Sequence, residues 1–442
     1  MATAGEDLLS FDDEQILRLE SDAIKGHTGK LLVLGPGPDG ARLEAAALRE
    51  RAADRIAGLP RLRQRVEIPA RGRAAWADAP GPDLDWHLAA DDGAEPLGDA
   101  DFRARAGEIL AERLDHQRPL WRIDLVPLEG GRTGLVGRIH HAIADGVSAI
   151  RMVSELLWDE LTEPAGPASA APADPKSHPG DAGDPRHPEA EERRRSLLVR
   201  LPGALRRELS PGPDTVLDRH IGSNREVAWT AFPLERLRSV GHASDPGATV
   251  NDVVLASVAG GLRRWLRGTD SAPDTLKAQV PVCLHLRDRD KNIGNRDSFL
   301  NVDLPIAEDD PLERLRLISA ETRERKLDHD ADTLYDFFHA LGRFGPLYRR
   351  VTKVVSGPRE FALSVSNVPG PRERPTICGH ELREFCSFAE PADRHALRVA
   401  VISLGGDLAF GLCSDPEAIG GLEKLAEALE ESVAELEQAA GA

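Results

Sequence analysis

The chain has 442 residues, enough for two domains with separate cores. Hydrophobic content of 41% and charged content of 29% are those of a globular protein, and no apolar run approaches the roughly 18–20 residues that span a bilayer. A formal net charge of −18 argues against nucleic acid as a partner, and an anionic small molecule would need a locally basic mouth.

In chain order, the start (MATAGEDLLSFDDEQ) is acidic, unlike a signal peptide. Ser10 and Asp13 form a capping pair before a helix with Ile16, Leu17 and Leu19 on its apolar face, ending at Glu20. Residues 30–35 read as a strand closed by GPGPDG, 41–58 as a helix and 101–114 as another. Trp121, Ile123 and Leu125 alternate with Arg122 and Asp124, as a strand with one buried face should. Gly130-Gly131 permits a tight hairpin, so this strand is expected to pair antiparallel with the one through Leu135 and Ile139. Trp121 is either a core group or a pocket wall.

A helix from Gly146 follows, with Ile150, Val153, Leu157 and Leu161 at helical spacing. Residues 162–196 then turn rich in Pro, Ala, Gly and charge, the composition of a linker or crossover, with His178 and His187 as bystanders. Residues 197–209 are a basic amphipathic piece that packs on its own protein or lies on a membrane surface.

Strands are expected at 225–232, 277–286, 299–305, 361–368, 397–404 and 407–413, and helices at 312–328 and 332–343. Thr249 and Asp252 form a capping box for a helix through Leu266, and Asp415-Pro416 reads as the start of the last helix. The expected division is a domain over 1–161, a linker over 162–215 and a second domain over 216–442. Cys283, Cys378, Cys386 and Cys413 show neither CxxC spacing nor a disulfide framework, which suggests a reducing cytoplasm and no metal.

The chemistry concentrates in RIHHAIADG, residues 138–146. Strand side chains alternate, so His141 shares a face with Leu135, Gly137 and Ile139, and His140 with Val136 and Arg138. Neighbours pointing in opposite directions do not chelate a metal; they do two different jobs. Asp145 suits the cap of the following helix. A histidine at a strand end, before a tight turn, is a common catalytic position, although a core histidine with an ordinary capped helix would read the same.

HHAIADG resembles the HHxxxDG signature of the chloramphenicol acetyltransferase-like superfamily. Pro119-Leu120-Trp121, Asn251-Asp252, Gly294-Asn295 with Leu304-Pro305, and Ser366-Asn367-Val368-Pro369-Gly370-Pro371 are similar to blocks of the bacterial wax ester synthase/acyl-CoA:diacylglycerol acyltransferase family. Ser10, Asp13 and Glu20 are similar to its opening, with Ile16 where Phe is usual; residues 389–399 lack its glycine-rich run, and Ser403-Leu404 replaces Ser-Tyr.

The resemblance implies an α/β (α+β) fold of two such domains, mixed sheets flanked by helices, with a tunnel at the domain interface. It implies transfer of a long-chain acyl group from CoA to diacylglycerol or a fatty alcohol, with no cofactor beyond the acyl-CoA co-substrate. His141 is then the general base, with His140, Asp145, Gly146, Asn251 and Asp252 as support. Leu120, Trp121, Ser366 and Asn367 are tunnel candidates. Arg287, Arg289, Lys291 and Arg296 are candidates for the CoA phosphates, or simply a solvated loop. The expected location is cytoplasmic, with a peripheral place on a membrane or lipid droplet as a variant. The alternatives are a condensation-type transferase using a carrier-protein thioester, and an inactive lipid-binding homologue.

Overall fold

A computed structural model describes residues 7–69, 73–79, 81–90, 93–161, 200–207, 212–244, 247–267, 273–283, 297–328, 333–334, 337 and 360–442. The first half contains β1 (Asp7–Leu8), α1 (Phe11–Leu19), β2 (His27–Leu34), α2 (Ala45–Arg55), β3 (Gln64–Glu67), β4 (Ala75–Asp78), α3 (Leu84–His87), β5 (Leu88–Ala90), α4 (Asp99–Ala111), β6 (Trp121–Pro127), β7 (Thr133–His140) and α5 (Gly146–Leu157). Then come α6 (200–207), β8 (Glu226–Pro233), α7 (Leu234–Ser244), α8 (Val250–Leu266), β9 (Leu276–Cys283), β10 (Asp297–Leu304) and α9 (Pro311–Leu327). The last part is β11 (Leu363–Val368), β12 (Thr376–Ile377), β13 (His380–Phe388), β14 (Leu397–Leu404), β15 (Asp407–Ser414) and α10 (Leu422–Ala440). Among the described residues, no helix is long and apolar enough to cross a membrane.

The chain forms two compact units: Met1–Ala165 with His220–Pro233 and Val368–Glu423, and Gly166–Arg219 with Leu234–Asn367 and Lys424–Ala442. They interleave along the sequence and do not follow the expected division into 1–161 and 216–442. One cause is β13, a strand that sequence periodicity does not announce. It pairs antiparallel with β2, so late sequence completes the early sheet.

The main sheet of the first unit runs β12-β13-β2-β7-β6-β5. Strands β6 and β7 pair antiparallel across the Gly130-Gly131 turn, as their sequence suggests. Every residue of β2 and β7 is buried, which the strand's apolar alternation alone does not convey. Helix α4 presses on one face: a Cβ at Gly134 would lie 2.4 Å from the Phe102 ring. Leu48 of α2 and Ile150 and Val153 of α5 join the same core as Leu135 and Ile139. A small sheet, β1-β4-β3, was not legible in the sequence.

Strands β14, β15 and β8 form a further antiparallel run in this unit. At its end the carboxylate of Glu226 accepts the N–H groups of Gly421 and Leu422 at 3.1 and 3.0 Å. The last helix therefore begins at Leu422, not at Asp415-Pro416. Asp415 is buried and accepts the N–H groups of Gly222 and Glu417, so it shapes a turn.

In the second unit β10 pairs antiparallel with β9, and β11 runs parallel to β9. Helix α8 opens on the expected Thr249/Asp252 capping box. Gly260 and Gly261 of α8 let Ser432 and Leu429 of α10 approach. Ala204 of α6 is buried with Leu300 and Leu334, so the basic piece packs on its own unit.

Candidate active site

Strand β7 ends at His140, and His141 starts the turn into α5. The two imidazoles sit in different surroundings. His140 is fully buried, its Nδ1 accepting the Ala142 N–H at 3.1 Å, which leaves the proton on Nε2. Nε2 donates to Glu20 Oε1 at 2.9 Å. Glu20 Oε2 also receives His116 at 3.0 Å and Arg113 at 2.7 Å. Burial alone would raise the Glu20 pKa, but the hydrogen bonds from His116, His140 and Arg113 together hold it far below the usual carboxylate range. His140 is thus tied to a buried anion.

His141 carries no such tie. Its backbone N–H donates to the Gly26 carbonyl at 2.9 Å, and the residue as a whole is partly exposed. Enclosure of the ring lowers its pKa to about 4, with the charges of His140 and Lys30 adding and Asp145 opposing. At neutral pH the ring is therefore uncharged and able to accept a proton. The free-imidazole value of about 6.5 does not apply here.

Lys30 is the neighbour that sequence reasoning missed. It lies opposite Gly137 on β7 and Ser387 on β13, on the sheet face of Ile139. Its Nζ donates to Ser387 Oγ at 2.6 Å and Thr28 Oγ1 at 3.3 Å, and burial lowers its pKa to about 8. A lone Lys in an apolar strand was the available signal, since a buried ammonium is rarely left without a reason.

Asp145 caps α5, its Oδ1 accepting the Ser148 N–H at 2.7 Å. Gly146 begins that helix, and a Cβ there would meet Val368 at 3.4 Å. Leu120 and Trp121 are buried; the indole stacks on His87 at 4.3 Å and donates to the Leu62 carbonyl at 2.9 Å, the surroundings of a core group.

Asn251, Asp252, Ser366 and Asn367 belong to the second unit. Asn251 is partly buried in the first turn of α8. Asp252 accepts the Thr249 N–H and the Thr322 hydroxyl at 2.8 and 2.6 Å, which makes it a helix-start group. Ser366 and Asn367 are partly exposed near the end of β11. Arg287, Arg289, Lys291 and Arg296 lie outside the described residues, as do His178, His187 and most of the expected linker and 332–343 helix. Among the described residues, no group of three or more His, Cys, Asp or Glu is placed to hold a metal ion.

The fold is that of the two-domain condensation and chloramphenicol acetyltransferase-like acyltransferases. The first condensation domain of the calcium-dependent antibiotic synthetase matches with a TM-score of 0.62 at 18% identity, covering 99% of this chain and 97% of that one. The wax ester synthase/diacylglycerol acyltransferase of Marinobacter aquaeolei VT8 matches with a TM-score of 0.69 at 24% identity, covering 98% and 100%.

Residues 9–254 match the wax ester synthase/diacylglycerol acyltransferase catalytic domain, and 293–437 the C-terminal domain of that family. The chain belongs to the wax ester synthase/diacylglycerol acyltransferase family and is an O-acyltransferase. A putative diacylglycerol O-acyltransferase of Mycobacterium bovis is 28% identical over 98% of this chain and 100% of its own length. The O-acyltransferase WSD of Acinetobacter baylyi is 27% identical over 72% and 74%.

Proposed function

We propose that this protein moves a long-chain acyl group from a CoA thioester to the hydroxyl of a diacylglycerol or fatty alcohol, giving triacylglycerol or wax ester and free CoA. What supports the reading is His141, an uncharged imidazole on a partly exposed residue placed by the HHxxxDG turn. The hydroxyl oxygen attacks the thioester carbonyl carbon while a His141 ring nitrogen takes its proton. The C–S bond then breaks, and the imidazolium returns that proton to the departing thiolate. A base placed in this way contributes roughly 10²–10⁴-fold in rate.

The thioester supplies the activated acyl group, so the reaction needs no resident cofactor. Arg287, Arg289, Lys291 and Arg296 are the candidate contacts for the CoA phosphates. The acceptor is a lipid, so a cytoplasmic enzyme would meet it at a membrane or droplet surface. The test is release of free CoA from palmitoyl-CoA with hexadecanol or a diacylglycerol supplied separately. His141→Ala should abolish release while still binding a non-hydrolysable acyl-CoA analogue, because a base acts in the transition state. A wild-type protein that binds the analogue but releases no CoA with any acceptor would make it a lipid-binding homologue.

A further inference from the structure

The backbone N–H of His141 donates to the carbonyl of Gly26, and next to that carbonyl two successive N–H groups are held by one carboxylate. The carboxylate of Glu390 accepts the Lys25 N–H at 2.6 Å on Oε1 and the Gly26 N–H at 2.7 Å on Oε2. Arg225 binds the same carboxylate, Nη2 to Oε1 at 2.8 Å, and is nearly inaccessible itself. Its Nη1 donates to the carbonyls of Gly222 and Asn224 at 3.1 and 2.7 Å, and its Nη2 also to that of Ala23. Arg398 donates from Nε to the Glu390 carbonyl at 3.2 Å. Gly26 has no room to drift: φ is +75°, and a Cβ would lie 2.3 Å from His140 Nε2. Its peptide is pressed between the His140 ring and the Glu390 clamp.

We infer that Glu390, locked by Arg225, is a positioning residue for the transfer. It sets the Gly26 carbonyl that receives the His141 N–H, and so the place from which the imidazole reaches the acceptor hydroxyl. This rests on the reading of His141 as the base. Acting through the Gly26 backbone and not on the reacting atoms, Glu390 should show its loss in kcat and not in KM. Nothing in the HHxxxDG motif points to it: Glu390 lies just past β13, far along the chain from Gly26.

The experiment compares Glu390→Gln and Glu390→Asp with the wild type, reading initial rates, melting temperature and amide exchange of peptides containing His141. Gln keeps the shape but turns an NH₂ toward one of the two N–H groups. Asp keeps both acceptors one methylene further back. The expected result is kcat lower by about 10–100-fold in Glu390→Gln. KM for both substrates should stay within about twofold, as loss confined to the transition state requires. Glu390→Asp should fall between the two, and the His141 amide should exchange faster in both variants.

Wild-type kcat per folded molecule in Glu390→Gln, or unchanged exchange at His141, overturns the inference. If Glu390→Gln does not fold, Glu390→Asp decides by the same two readouts. If the wild type turns over no acceptor, the proposed reaction fails, and exchange at His141 alone decides whether Glu390 holds the turn.

Discussion

Two histidines one residue apart are given opposite electrostatic partners, and their substitutions should fail differently. His140→Ala removes a donor from buried Glu20, which keeps His116 and Arg113. It should therefore cost about 1–3 kcal/mol in a denaturant melt and lower turnover only partly. His141→Ala should leave the melt near that of the wild type and abolish turnover. Equal loss of turnover in both would break the division of labour. Asp145 supplies a parallel test. Asp145→Asn keeps the capping oxygen, whereas Asp145→Ala should lose about 0.5–2 kcal/mol; if both melt like the wild type while turnover collapses, the carboxylate belongs to the chemistry.

The same residues set a pH response. Burial lowers His141 and His87 to about 4 and His27 well below its ordinary value of 6.5. The unfolded chain takes up protons near 6.5 that the folded chain refuses. Stability is therefore full above about pH 6.5 and is lost as pH falls towards 4. Glu20 adds to the loss below about 4.5, where only the unfolded carboxyl takes up a proton. Melting at pH 5 should lie below that at pH 7.5, and His141→Asn should narrow the gap. The motif distinguishes the two histidines by strand face; the size and direction of the His141 shift depend on burial and on the charges of His140 and Lys30, which no local pattern records.

At the scale of elements, legibility followed distance along the chain. The β6–β7 hairpin and the Thr249 cap are local arrangements, and each was visible in its own residues. Strand β13 was not. Its adjacent polar Arg383 and Glu384 interrupt the apolar alternation, and its register slips between Leu382 and Glu384. A bulge shifts the period by one, so a reading based on alternation passes over the strand. The start of α10 is hidden from local sequence for a related reason: its first N–H groups are capped by Glu226, far upstream, while Asp415-Pro416 only imitates a cap. The packing of α4 on the sheet gives a prediction here. Gly134→Ala drives a methyl into the Phe102 ring and should cost about 1–3 kcal/mol in a melt. A melt unchanged from wild type would mean the helix can move aside.

At the scale of the whole molecule, the interleaving of the two units makes the early sheet dependent on late sequence. A fragment of residues 1–161 lacks β13 and leaves β2 with an unpaired edge, the kind of edge that recruits other chains. It should aggregate on expression, and supplying residues 368–423 in the same cell should recover soluble material; a soluble, monomeric fragment with native strand content would refute this. The dependence also sets an order of events during synthesis. Strand β2 leaves the ribosome roughly 350 residues before β13, a delay of about 20–70 s at about 5–20 residues per second. Glu390 emerges only after β13. Until then the Lys25 and Gly26 N–H groups lack their clamp and the His141 turn its anchor, so the nascent chain reaches a competent turn only once residue 390 has emerged.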